Sequence, residues 1–146
     1  MICAWDFKQK RNLVIVFLDA LHPKSEDFLK RLAARAAEMA EQEAVVLIVF
    51  SEVPPATLLS HLPAEFVVAM DMSGRAARAY LGKDAFGPSG QQRSGAFVAD
   101  RYGELYAQWI VPAGEALPGA GEILSWLWQI ELACEECGVS HWPSSE

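Results

Sequence analysis

Two stretches of this 146-residue chain carry side chains whose types and spacing could do chemistry. The first is Asp19-Ala20-Leu21-His22-Pro23-Lys24-Ser25, where an imidazole and a hydroxyl stand three residues apart. A histidine that takes the proton of Ser25, oriented in turn by Asp19, would make a hydrolase-like nucleophile, given an oxyanion site. The plainer reading makes His22 a partly exposed loop residue and Ser25 a helix cap.

The second is Cys134-Glu135-Glu136-Cys137-Gly138-Val139-Ser140-His141. Cys-x-x-Cys-Gly resembles half of a zinc knuckle, where glycine permits the turn that brings both sulfurs to one ion. His141 follows as a third ligand, and Cys3, His22, His61, a carboxylate or a second chain's cysteine pair could supply the fourth. The same thiols could form a redox dithiol, but a reactive thiol needs a helix N-terminus or cations close by. Here the predicted helix ends just before Cys134, so its negative end is adjacent, and Glu131, Glu135 and Glu136 flank the pair. Each effect disfavours thiolate, whereas the same acidic flank attracts a divalent metal. Two ordinary thiols, or an incidental disulfide closing a short loop, is the third reading.

Elements must position these groups. Leu13 to Leu18 is a continuous apolar, β-branched run, as expected of a strand buried on both faces. From about Glu26 to Gln42 the period becomes helical, with Phe28, Leu29, Leu32, Ala36, Met39 and Ala40 on one side. Glu26/Lys30 and Asp27/Arg31 fall at i,i+4 on the other, worth ~0.2–0.5 kcal/mol each. Either Pro23 opens this helix or Ser25 caps one that starts a turn later. Ala44 to Phe50 and Phe66 to Met70 read as further strands, separated by a short helical piece near Ala56 to His61. A small helix spans Arg75 to Leu81, and Gly82 to Ser94 reads as loop. Ala96 to Ala99 and Glu104 to Val111 flank Asp100-Arg101-Tyr102-Gly103 as a hairpin, and a last helix runs from about Glu122 to Ala133. The pattern is an α/β domain over residues 1–133, a mixed sheet with helices on both faces, followed by a tail over 134–146.

Three local patterns, in this order and spacing, resemble the thioredoxin-like superfamily and within it the peroxiredoxin-like branch, the alkyl hydroperoxide reductase/thiol-specific antioxidant group. They are the opening strand with its loop, Asp71-x-x-Gly74-Arg75-x-Ala77-Arg78-Ala79-Tyr80, and Phe97-Val98-Ala99-Asp100-x-x-Gly103-Glu104-Leu105. The resemblance covers roughly Leu13 to Leu132 and implies a thioredoxin-like fold. It also implies a cysteine in the first loop, and there the sequence departs: His22 and Ser25 fall on the two cysteine positions. No cysteine lies between Cys3 and Cys134. The family places a cis-proline or an arginine three residues before the hairpin phenylalanine; here that slot is Ser94, with Arg93 one residue further back. Peroxide reduction and disulfide exchange both need an attacking thiolate, which a serine hydroxyl cannot replace.

The remaining readings come from composition. A net charge of −7 repels phosphate backbones and anionic lipid, so neither nucleic acid nor membrane is an expected partner. The start, Met1-Ile2-Cys3-Ala4-Trp5-Asp6, has no charged-then-apolar leader, and a cytoplasmic location is expected. Three cysteines do not make a secreted disulfide framework. On the last helix Ile123, Trp126, Leu127 and Ile130 cluster, Leu124 lies beside them, and Trp128 and Leu132 widen the apolar arc beyond what one sheet covers. Either the tail with Trp142-Pro143 packs on Trp128, or a second copy does, making a homodimer. The expected function is a binding or assembly module, for a protein partner the sequence does not name, with its usual redox site degenerate. The alternative is a thiol-disulfide oxidoreductase or antioxidant enzyme using Cys134 and Cys137. A third reading has the vacant pocket around His22, Ser25 and Arg93 hold a small anion.

Overall fold

The computed structural model describes residues 11–88 and 90–139, the stretch 134–139 through its backbone alone. The apolar runs become β1 (Asn12–Phe17), β2 (Ala44–Phe50), β3 (Val67–Met70), β4 (Ser94–Ala99) and β5 (Leu105–Val111). Between and after them lie α1 (Pro23–Ala34), α2 (Ala36–Glu41), α3 (Ala56–Leu59), α4 (Arg75–Leu81) and α5 (Ala120–Val139). The strands form one sheet in the order β3-β2-β1-β4-β5. β1 and β2 pair in parallel, as do β2 and β3, while β4 runs antiparallel to both β1 and β5.

Strand alternation divides the core into two layers. Val14, Val16, Val46, Ile48, Phe50, Ala96 and Val98 face a layer completed by Leu29, Leu32, Met39, Ile123, Leu127 and Ile130, from α1, α2 and α5. Leu13, Ile15, Phe17, Leu47, Val49 and Phe97 face the other, covered by Ala77 and Leu81 of α4. Tyr80 lies over this second layer, its ring 5.1 Å from that of Phe17 and 5.3 Å from that of Phe97. Helices thus cover both faces of a mixed sheet, as a thioredoxin-like α/β fold requires.

Two of the sequence motifs turn out to be turn chemistry. Asp71 accepts the Ala77 N–H at 3.0 Å, tying down the first turn of α4, and Gly74 takes the left-handed conformation that lets the chain enter it. Asp100 accepts the N–H groups of Tyr102 and Glu104, both at 2.9 Å, and Gly103 supplies the positive φ that closes the β4–β5 hairpin. Both aspartates hold backbone.

Several boundaries differ from expectation. The helix expected over 26–42 is two, α1 and α2, broken at Arg35, whose φ of −110° and ψ of 18° leave helical space. The break turns Ala40 out to solvent, while Leu29, Leu32 and Met39 remain buried. The two i,i+4 ion pairs form, at 3.5 Å for Glu26–Lys30 and 2.7 Å for Asp27–Arg31. The loop expected over 82–94 gives up Ser94 to β4 and contains a bridge between Phe86 and Gln92. α5 begins two residues early and runs on to Val139, so Cys134 and Cys137 lie within a helix rather than beyond its end. Nothing from Ala120 onward in that stretch forbids a helix, and Gly138 costs only about 1 kcal/mol relative to alanine.

At the start of β1, Asn12 anchors α5 and the β2 turn together. Its amide donates to the Gln42 carbonyl at 3.0 Å and to the Glu131 carboxylate at 3.1 Å. Arg101 then joins Glu131, at 3.4 Å, to Glu43, at 2.9 Å. No helix among the described residues is long and apolar enough to cross a membrane.

Candidate functional site

β1 ends at Phe17, and the chain turns through Asp19 before α1 begins at Pro23. The turn is fixed by its own polar groups. Asp19 accepts the Leu21 N–H at 2.9 Å, and the His22 N–H reaches the Asp19 carbonyl at 3.3 Å. Pro23 takes the first helical position, where its missing N–H costs nothing. The cap is His22: its Nδ1 accepts the Lys24 N–H at 3.1 Å. The Ser25 hydroxyl donates to the Asp19 carbonyl at 2.6 Å, and the side chain is 3% exposed.

These bonds decide between the two readings of the His22–Ser25 pair, and neither survives whole. Nδ1 of His22 is committed to the backbone, and the Ser25 proton points at a carbonyl, so no nucleophile–base contact exists. Asp19 orients the Leu21 amide, not the imidazole. Capping is real, but it belongs to His22 rather than to Ser25. The first N–H groups of α1 are also spoken for: proline has none, Lys24 donates to His22 Nδ1, and Ser25 donates to the His22 carbonyl. A helix N-terminus attracts anions through such free N–H groups, and here the first ones are taken.

Beside this turn lies a cavity of about 170 Å³. Its floor and walls include Leu18, Phe28 and Ser94, and its far side is the 112–119 loop between β5 and α5, with Leu117 and Pro118. The loop is strapped to α1 by Lys24, whose Nζ donates to the Gly114 carbonyl at 2.6 Å. Of the residues named from sequence, His22, Ser25 and Ser94 meet here, and Arg93 does not. Arg93 lines a separate hollow with Asp84, Phe86 and Pro112, because Ser94 occupies the strand position that faces α1 and neighbouring strand residues point opposite ways. The expected trio of His22, Ser25 and Arg93 is therefore a duo with Ser94 in the third place. Sequence reading did not single out the 112–119 loop as a wall, although Pro112, Gly114 and Pro118 mark it as irregular.

The second chemical stretch falls largely beyond view. Cys134 and Cys137 lie three residues apart on the backbone of α5, and Cys3 and His141 lie outside the described residues. The backbone at both cysteines is thus helical, where the sequence leads one to expect a tail beyond the helix end. Among the described residues no three histidine, cysteine, aspartate or glutamate side chains converge on one point.

No family model matches the chain, and no curated protein matches it. Solved structures do. AhpC of Enterococcus faecalis superposes with a TM-score of 0.74 at 15% identity, covering 94% of this chain and 83% of that one. The reduced 2-Cys peroxiredoxin of Plasmodium vivax gives 0.71 at 12% identity, over 90% and 84%. The mitochondrial 2-Cys peroxiredoxin of Plasmodium falciparum gives 0.68 at 14% identity, over 94% and 84%. The chain has a thioredoxin-like fold of the peroxiredoxin type. At such identities the likeness is one of fold, and chemistry has to be argued from the side chains.

Proposed function

We propose that this chain is a binding module on a peroxiredoxin-like scaffold, without thiol chemistry at the start of α1. One observation carries the reading. Both side chains at the two cysteine positions are bonded to the backbone of their own turn, His22 to the Lys24 N–H and Ser25 to the Asp19 carbonyl. A serine hydroxyl neither ionises near neutral pH nor forms a reducible bond, so the scaffold keeps its shape and loses its reaction. What it retains is a half-apolar cavity of about 170 Å³ against α1. Concave sites that combine apolar walls with polar groups are the usual seats of small ligands.

The test is turnover. Purified full chain should neither consume hydrogen peroxide in the presence of a dithiol reductant nor reduce insulin disulfides above background. Turnover that disappears in Cys134→Ser would overturn this reading in favour of a dithiol enzyme. That second reading rests on the three-residue spacing of Cys134 and Cys137 in α5, and zinc per chain by elemental analysis separates a metal-bound pair, with His141, from a free one. The binding reading includes a cytoplasmic setting, where unpaired thiols persist, and a homodimer through Trp128 and Leu132 of α5.

A further inference from the structure

We propose that the cavity at the start of α1 takes a small organic amine: an apolar body of one aromatic ring, carrying a cation toward Asp19 and Glu115. This rests on the binding reading above and names its ligand class. Size comes first. About 170 Å³ walled by Leu18, Phe28, Leu117 and Pro118 is close to the ~150 Å³ apolar cavity that holds benzene.

Charge gives the sign. The carboxylates lining the cavity are Asp19, Asp27 and Glu115, and the cations are Lys24 and Arg31. Asp27 and Arg31 neutralise one another at 2.7 Å; the Lys24 ammonium bonds the Gly114 carbonyl and keeps its charge, so with Asp19 and Glu115 the lining is left with one net negative charge. Asp19 and Glu115 have no ion-pair partner among the described residues. The N–H groups of the first helical turn, which would receive an anion, are consumed by His22. The small anion of the third sequence reading therefore lacks these N–H groups and Arg93, which lies in another hollow, and meets a lining of net negative charge.

Ser94 supplies the third feature. It lines the cavity at 8% exposure, and its hydroxyl has no hydrogen-bond partner among the described residues. That hydroxyl opens onto the cavity, where an ammonium N–H can donate to it in place of water. Apolar wall, unpaired carboxylates and unbonded hydroxyl converge on one ligand chemistry.

Binding of three probes with the same ring tests this: phenethylamine, neutral 2-phenylethanol and anionic phenylacetate, titrated at low salt into the full chain and followed by amide NMR shifts. Phenethylamine should saturate, with shifts confined to residues 18–31 and 112–120, and should bind about tenfold tighter than phenylacetate. Glu115→Gln, at an exposed position that leaves the fold intact, should weaken the amine about threefold and leave 2-phenylethanol unchanged. Ser94→Ala should weaken the amine as well. Phenylacetate or 2-phenylethanol binding as tightly as the amine would overturn the cation while leaving a ligand pocket in place. Saturation by none of the three would overturn the amine proposal entirely. Neither result touches the turnover assay, which tests the binding reading separately.

Discussion

His22 and Ser25 are both committed to the backbone of their own turn. His22 caps α1 through Nδ1, an arrangement that stands only while this nitrogen carries no proton. Replacing it with alanine, His22→Ala, leaves the Lys24 N–H without its partner and should lower stability by about 1 kcal/mol, the usual cost of losing a cap. Urea unfolding reads this directly, and an unchanged midpoint would make the cap ornamental. Ser25 permits a sharper test. In a chain whose Cys3, Cys134 and Cys137 are serine, Ser25→Cys places the sole thiol in the first turn of α1. The side chain is buried, the nearby N–H groups are taken, and the Asp19 carbonyl faces it. Such a thiol should label slowly with a maleimide at pH 7 and give no peroxide turnover. Rapid labelling would mean that the helix start activates a thiolate, against the expectation from its consumed N–H groups.

At the scale of elements, the tightest joint lies where α4 crosses β4. A methyl group on Gly95 would lie 2.3 Å from Leu81 Cδ2 and 3.2 Å from Phe97, so the helix rests on bare backbone. Gly95→Ala should cost about 1–3 kcal/mol by overpacking, and adding Leu81→Ala should make the double variant less than the sum of the two losses. Strict additivity in thermal or urea unfolding would place the helix elsewhere. The second joint is polar: Asn12→Ala removes two amide bonds, one of them to the Glu131 carboxylate, and should cost about 1–3 kcal/mol. Neither joint was legible in sequence, because Gly95 and Asn12 look like ordinary strand residues until the partners 14 and 119 positions away along the chain are brought in. What was legible shows the converse. Leu13 to Leu18, Ala44 to Phe50 and the 96–111 hairpin are read easily because strands buried on two faces, and a Gly-closed turn, write their environment into consecutive residues. The break at Arg35 has no such signal, since Ala33-Ala34-Arg35-Ala36-Ala37 favours helix throughout, and packing alone places the bend. α5 runs past the expected end near Ala133 because the propensities of the Cys-x-x-Cys-Gly stretch allow helix and no stop signal precedes it. His22 and Ser94 are visible as positions, but that they line one cavity is set by the meeting of the first loop, β4 and the 112–119 loop.

For the molecule as a whole, the open question of surface is α5. Its inner arc, Ile123, Leu127 and Ile130, is fully spent on the sheet. Trp128 and Leu132, four residues apart and so neighbours on the helix, stand 57% and 40% exposed on the outer side. An exposed tryptophan beside an exposed leucine is the kind of patch that interfaces cover, and a two-fold axis would lay each pair against its copy. Each chain also carries a net charge of −7, which opposes any such approach at low salt. The two terms have opposite salt dependence: charge repulsion is screened, whereas apolar contact is not. Self-association through α5 should therefore strengthen as sodium chloride rises from about 0.01 to 0.15 M, over which the screening length falls from about 30 to 8 Å. Sedimentation or light scattering across concentration would show the mass rising toward that of a dimer, more steeply at the higher salt. Trp128→Gln with Leu132→Gln should return the chain to monomer at every salt while shifting the unfolding midpoint little, since both side chains are exposed in the single chain. A parent chain that stays monomeric throughout would overturn the homodimer. Loss of folding in the double variant would instead mean that these two side chains are covered within one chain.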